Sequence, residues 1–177
     1  DPGAAPIGQP ISFTLLRHGL WSTPSYGEAA VVGDDGRILT YSCDGPEQGG
    51  WFDQYGPCTV ARVEPDEVDD PAAYRFWNGS GWSVDPSDAA PMTMPAPGSG
   101  GVGRYPPAAF TVAFDAAVGR WAMAYTSWPG FTEVGWLRFA TSPLGPWSEP
   151  LRVDLPGCGA TIGGELRSCY AMTLQTW

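Results

Sequence analysis

The sequence predicts an all-β protein made of repeated antiparallel sheet units, and three observations carry that expectation. The composition pairs frequent turn formers with strand-forming aromatics, with 24 Gly, 19 Pro and 9 Trp among 177 residues. Two segments carry the signature of a β-hairpin. A short pattern of strand, turn and Trp-Ser occurs three times along the chain.

The composition bounds the class. Apolar residues make up 43% and charged residues 16% of the chain, so it can bury a core and does not read as a charge-solvated disordered segment. Gly and Pro break helices and populate turns, while aromatic side chains suit a pleated surface. No window sustains a 3.6-residue apolar period with caps, so helices are expected to be minor.

The hairpins come next. Ala29 to Ser42 reads AAVVGDDGRILTYS, and Thr111 to Ser127 reads TVAFDAAVGRWAMAYTS. In each, an apolar strand enters a turn with Asp and Gly-Arg and an alternating strand leaves it. Gly supplies the positive φ and Asp bonds the turn backbone.

The third pattern runs from Leu16 to Pro24, from Tyr74 to Pro86 and from Leu137 to Pro150. Each copy has an Arg near its start (Arg17, Arg75, Arg138), a Gly-containing turn, and Trp-Ser close to a Pro; the arginines are 58 and 63 residues apart. Taken together, the unit is a hairpin, a variable loop and a strand ending near Trp-Ser. About 60 residues forming roughly four antiparallel strands is one blade of a β-propeller. On this division the single domain has a blade end at 12–24, blades at 25–86 and 89–150, and a partial blade at 160–177. Trp82 and Trp147 are expected to be buried equivalents, the repeat arginines to hold blades together, and Pro91 to Gly103 (PMTMPAPGSGGVG) to be a connecting loop. A propeller needs at least about four blades, so these units form an incomplete ring. Completion by a second polypeptide or by self-association is expected, since an open sheet edge is otherwise a pairing hazard.

Charge excludes some partners. The net charge is −10, all nine basic residues are Arg, and no basic stripe is present, which disfavours nucleic acid and anionic membrane surfaces. A neutral polymer such as a polysaccharide is compatible. No apolar run is long enough for a membrane span. The chain opens on Asp1-Pro2-Gly3 instead of Met, the expectation being that something upstream has been removed. Cys43, Cys58, Cys158 and Cys169 show no CxxC spacing, which argues against a zinc or thioredoxin-type site. Of the three possible pairings, Cys43–Cys58 and Cys158–Cys169 are favoured because each closes a short loop between neighbouring strands. Two disulfides imply an oxidising compartment, extracellular or in the cell envelope.

Two stretches carry a resemblance. Ala140 to Pro150 (ATSPLGPWSEP) resembles the end-of-blade segment of five-bladed glycosidase-type propellers, and Asp34 to Ser42 (DDGRILTYS) resembles their blade-opening hairpin. The combination is most similar to the actinobacterial "domain of unknown function 4185" group, over about two and a half of five blades. That group includes glycoside hydrolases acting on D-arabinan of the mycobacterial cell wall. The resemblance implies an endo-arabinanase-like enzyme or part of one, with an arabinan-like polysaccharide as partner. The alternative is a non-catalytic propeller module that binds a glycan or a protein through its open edge.

Glycoside hydrolysis needs two carboxyl groups flanking the sugar. In propellers the pocket lies at the axis, lined where the innermost strands start. Glu28 opens such a strand and is the first catalytic candidate; the competing reading is a solvent-facing glutamate. Asp53 is the second, in GGWFDQY, where Trp51 and Tyr55 are candidate sugar-stacking residues; the competing reading is a packed loop tied down by Cys43–Cys58. Trp128 and Phe131, with Glu133, are expected to form a corresponding aromatic and carboxylate loop in the next unit; the competing reading is that these aromatics pack one blade on another. His18, the only histidine, lies beside the repeat Arg17 on a strand, which argues against a Ser-His-Asp triad and favours a surface or interface histidine. Asp66 to Asp70 (DEVDD) lacks the glycine and spacing of a calcium loop and reads as a solvated turn. Asn78-Gly79-Ser80 matches a glycosylation acceptor, a common chance match. No metal site and no cofactor is expected.

Overall fold

A computed structural model describes residues 26–44, 55–95, 110–126, 133–163, 165–166, 169, 172 and 174. These residues form eleven strands and two 3₁₀ turns. The first sheet has five antiparallel strands in sequential order: β1 (Ala29–Val32), β2 (Ile38–Asp44), β3 (Tyr55–Val63), β4 (Arg75–Trp77) and β5 (Trp82–Ser83). The second has four, again in order: β6 (Thr111–Asp115), β7 (Arg120–Thr126), β8 (Val134–Ala140) and β9 (Leu151–Asp154). A small hairpin, β10 (Thr161–Ile162) with β11 (Glu165–Leu166), follows. Each large sheet is a meander, and among the described residues neither closes on itself. The 3₁₀ turns, Pro71–Ala73 and Pro86–Asp88, each begin on proline and are capped by an aspartate, Asp70 and Asp85. The all-β expectation holds at this level.

The hairpins form where their turn chemistry places them. Gly36 and Gly119 adopt φ of 80° and 63°, which an L side chain rarely does. Gly33 N–H closes the first turn on Arg37 C=O at 2.8 Å. The strands leaving the turns, β2 and β7, are central in their sheets and heavily buried.

The two sheets share one core. Leu39, Tyr41, Cys43, Cys58 and Val60 of the first meet Val112, Trp121, Met123, Tyr125 and Ala140 of the second. Tyr41 and Phe110 stack edge-on at 6.0 Å, and the Tyr41 hydroxyl donates to Pro143 C=O at 3.1 Å. Strands β1 and β6, the first of each sheet, lie against each other. When the hairpins are aligned on their Gly-Arg turns, Leu39 and Tyr41 correspond to Ala122 and Ala124, and Trp121, Met123 and Tyr125 correspond to Ile38, Thr40 and Ser42. The sheets therefore meet through opposite faces. The other face of the first sheet holds a second cluster of Ala61, Val63, Tyr74 and Phe76. On the far face of the second sheet, the Thr111 hydroxyl donates to Met172 C=O at 3.0 Å. Gly135 there has no Cβ to collide with Met172 Sδ, which would lie 2.8 Å away.

Three sequence expectations change. The first sheet has a fifth strand instead of about four. The Arg and Trp-Ser copies are not structural equivalents: Arg75 lies on the fourth strand of its sheet and Arg138 on the third, while Trp82 forms a fifth strand and Trp147 precedes β9. Burial follows this difference. Trp147 is 2% exposed in the inter-sheet core, whereas Trp82 is half-buried. The connector is not simply a loop, because its first half is an extended segment threaded between the sheets. Met92 N–H donates to Cys58 C=O, and Trp147 N–H donates to Thr93 C=O. Met92 and Met94 are buried. The rest of the connector and the first repeat copy, with Arg17, lie outside the described residues.

Candidate functional site

Within the first sheet, the start of β1 and the β2–β3 connection share one end. Gly27 N–H and Glu28 N–H both reach Tyr41 C=O, at 3.2 and 3.3 Å, and Gly27 takes a φ of 115° to do so. The register of β2 against β3 slips between Ser42 and Asp44, leaving Cys43 out of the ladder. Its N–H donates to Glu28 Oε2 at 2.6 Å instead. A carboxylate accepting from a backbone N–H makes a strong, charge-assisted bond. The half-buried Glu28 is thereby fixed at the leading end of β1, over the bulge.

The disulfide Cys43–Cys58 locks the same bulge, both sulfurs being fully buried. Beyond it, Asp44 and Tyr55 pair across the ends of β2 and β3. Tyr55 is thus placed at the start of β3. Trp51 and Asp53 lie on the connection between this pair, outside the described residues. Tyr26, beside the site, packs on Phe76 at 5.6 Å, and burial raises its pKa while Thr59 partly offsets this.

The equivalent end of the second sheet is where β7 leaves and β8 begins. Trp128 and Phe131 lie on that connection, also outside the described residues. Glu133 just precedes β8 and is exposed. Its C=O accepts from Leu155 N–H at 2.7 Å and its Oε1 from Gly157 N–H at 3.4 Å. This ties it to the loop closed by Cys158–Cys169. Both favoured disulfides are therefore formed.

Beneath this end lies Arg138, fully buried. Its Nε donates to Tyr125 Oη at 3.0 Å, and its Nη1 to Pro95 C=O and Ser148 C=O, both at 2.8 Å. It joins the second sheet to the connector. Burial raises the Tyr125 pKa, and the charge and hydrogen bond of Arg138 work against that. Arg75 instead bonds only locally, to Ala72 C=O and Tyr74 C=O. Asp70 caps the first 3₁₀ turn, so the acidic run behaves as a turn. Asn78 Oδ1 accepts from Ser80 N–H and Gly81 N–H, which builds the β4–β5 turn. Among the described residues, no three His, Cys, Asp or Glu side chains cluster as metal ligands.

Sequence reading missed one polar site. At the opposite end of the first sheet, Arg37, Arg62, Arg75, Glu64 and Glu67 line a hollow of about 230 Å³. Its signal is a cross-strand register, with Arg62 directly opposite Arg75, and spacing along the chain does not reveal that.

No protein-family model matches the chain, and no curated protein matches it. Among solved structures, a Bacteroides ovatus protein described as a "putative hydrolase" aligns with a TM-score of 0.52 at 18% identity. The alignment covers 82% of this chain and 32% of that protein, so the chain spans about a third of its length. At this identity the likeness is one of fold. No helix among the described residues is long and apolar enough to cross a membrane. Both disulfides fit an extracellular protein.

Proposed function

We propose that this chain is part of a secreted, cell-envelope glycoside hydrolase of propeller type, acting on an arabinan-like polysaccharide at the end of its sheets where β1 starts. The observation that carries this reading is the placement of Glu28. It sits at the leading end of an inner strand, β1, which lies against the corresponding inner strand β6. The aromatic and carboxylate connections expected to form the cleft, with Trp51, Asp53 and Tyr55 in one and Trp128 and Phe131 in the other, occupy the equivalent position in each meander. The hydrolase description of the Bacteroides protein is compatible with this reading, as is the meeting of the sheets through opposite faces. Glu28 is assigned as an acid or base that exchanges a proton at the glycosidic oxygen, and Asp53 as the second carboxyl group. The remaining sheets of the ring come from a second polypeptide, a further part of the same one, or other copies of this chain.

A second reading has its own observation. Glu28 Oε2 is already engaged by Cys43 N–H, which suits a structural staple in a non-catalytic, glycan-binding or protein-binding module. The two readings separate on Glu28→Gln, tested for reducing-end release from arabinan and for arabinan binding. The hydrolase reading expects turnover to fall by about 10²–10⁴-fold with binding retained. Full turnover in the variant removes Glu28 from the mechanism. A wild type that binds arabinan without cleaving it establishes the binding module.

A further inference from the structure

The hollow at the hairpin-turn end of the first sheet is separate from the candidate site. Arg37 and Cys43 are six residues apart along β2, about 20 Å at roughly 3.3 Å per strand residue. Three arginines line it, Arg37 from the β1–β2 turn, Arg62 from β3 and Arg75 from β4. Arg37 Nε donates to Glu64 Oε1 at 2.7 Å and its Nη1 to Asp35 Oδ2 at 3.0 Å. Arg62 makes only a long 3.5 Å contact with the same Asp35 oxygen, and its guanidinium lies 4.2 Å over the Trp82 ring. Arg75 donates to two backbone carbonyls and pairs in register with Arg62. Like charges directly opposite on a sheet repel, so this arrangement persists against a local cost. Burial, and then the charge of Arg37, push the Arg62 pKa down. Glu67, exposed on the turn, adds a second lining carboxylate beside Glu64.

The lining selects its ligand by charge balance. A simple anion entering the hollow meets Glu64 and Glu67, while Asp35 already engages Arg37 and Arg62. A simple cation meets three guanidinium groups. A pair of neighbouring hydroxyls suits both, because each can accept from a guanidinium N–H while donating to a carboxylate oxygen. At about 230 Å³ the hollow has room for one sugar ring. We infer that this hollow is a binding subsite for a neutral polyhydroxylated ring, one residue of a glycan, gripped by Arg62 and Arg75 as donors and Glu67 as acceptor. It holds the polymer away from the candidate site and does not depend on hydrolysis there.

Calorimetric titration of the whole protein with neutral pentose and hexose oligosaccharides, and separately with sodium sulfate, tests this. The expected result is binding of a neutral oligosaccharide that weakens about tenfold in both Arg62→Gln and Glu67→Gln, with sulfate not binding. Glu28→Gln retains binding at the candidate site too, so the loss in Glu67→Gln, at the far end of the sheet, is the readout specific to this hollow. Glu67 is exposed, so its substitution leaves folding intact and keeps the test decisive if Arg62→Gln unfolds. The inference is overturned if no neutral oligosaccharide binds, if binding is indifferent to Glu67→Gln, or if sulfate binds and Glu67→Gln strengthens it, which identifies an anion site.

Discussion

Trp147 shows how much one residue contributes and how little its motif discloses. It lies 2% exposed between the sheets, with its N–H on the connector at Thr93. Truncating a buried Trp removes its transfer energy and leaves a cavity, so Trp147→Ala should cost about 3–5 kcal/mol in urea unfolding. Trp82→Ala should cost distinctly less, because half-buried Trp82 loses mainly its stacking with Arg62 and Trp77. The Trp-Ser dipeptide marks a turn and an extended segment in both places. It does not encode which strand follows, and burial depends on that. Glu28 is a similar case. Its place before an apolar strand was legible, but its bond to Cys43 depends on a bulge that no spacing in the sequence announces.

At the scale of elements, the hairpins were the most legible features, because Gly-Arg turns flanked by alternating residues specify both strands and the register between them. The repeat of Arg and Trp-Ser was less informative. Arg75 and Arg138 fall on the fourth and third strands of their sheets, since a short recurring motif fixes local conformation without fixing strand order. The connector looked like a low-complexity loop because Pro and Gly dominate it. Its two methionines, Met92 and Met94, nevertheless fill the space between the sheets. The Cys43–Cys58 disulfide spans 15 residues and closes the connection that carries Trp51 and Asp53. Closing a loop of that size stabilises by about 3 kcal/mol on the chain-entropy account. The double substitution Cys43→Ser with Cys58→Ser should lower unfolding stability by about that amount. It should also weaken arabinan binding, since it frees both ends of the proposed cleft loop. Loss of stability with arabinan binding unchanged would place the glycan elsewhere.

At the scale of the whole molecule, the central claim is that the sheets are successive units of a larger array. The first sheet meets the second through the face bearing Leu39 and Tyr41, and the equivalent face of the second sheet points away. Its C-terminal cover reaches Thr111 and Gly135. Beyond that cover, Val118 and Leu151 are each 55% exposed beside Phe139, around a largely apolar hollow of about 390 Å³. An apolar face of this kind is where a next sheet would pack. The two sheets were legible in the sequence through their hairpins, but the faces on which they meet were not, because that rests on which alternating face of each strand is buried. The most direct test is the mass of the native particle isolated from its source. The account predicts a particle larger than the 18.8 kDa chain, in which Val118 and Leu151 are protected from surface labelling. A particle of 18.8 kDa with both residues labelled would contradict it.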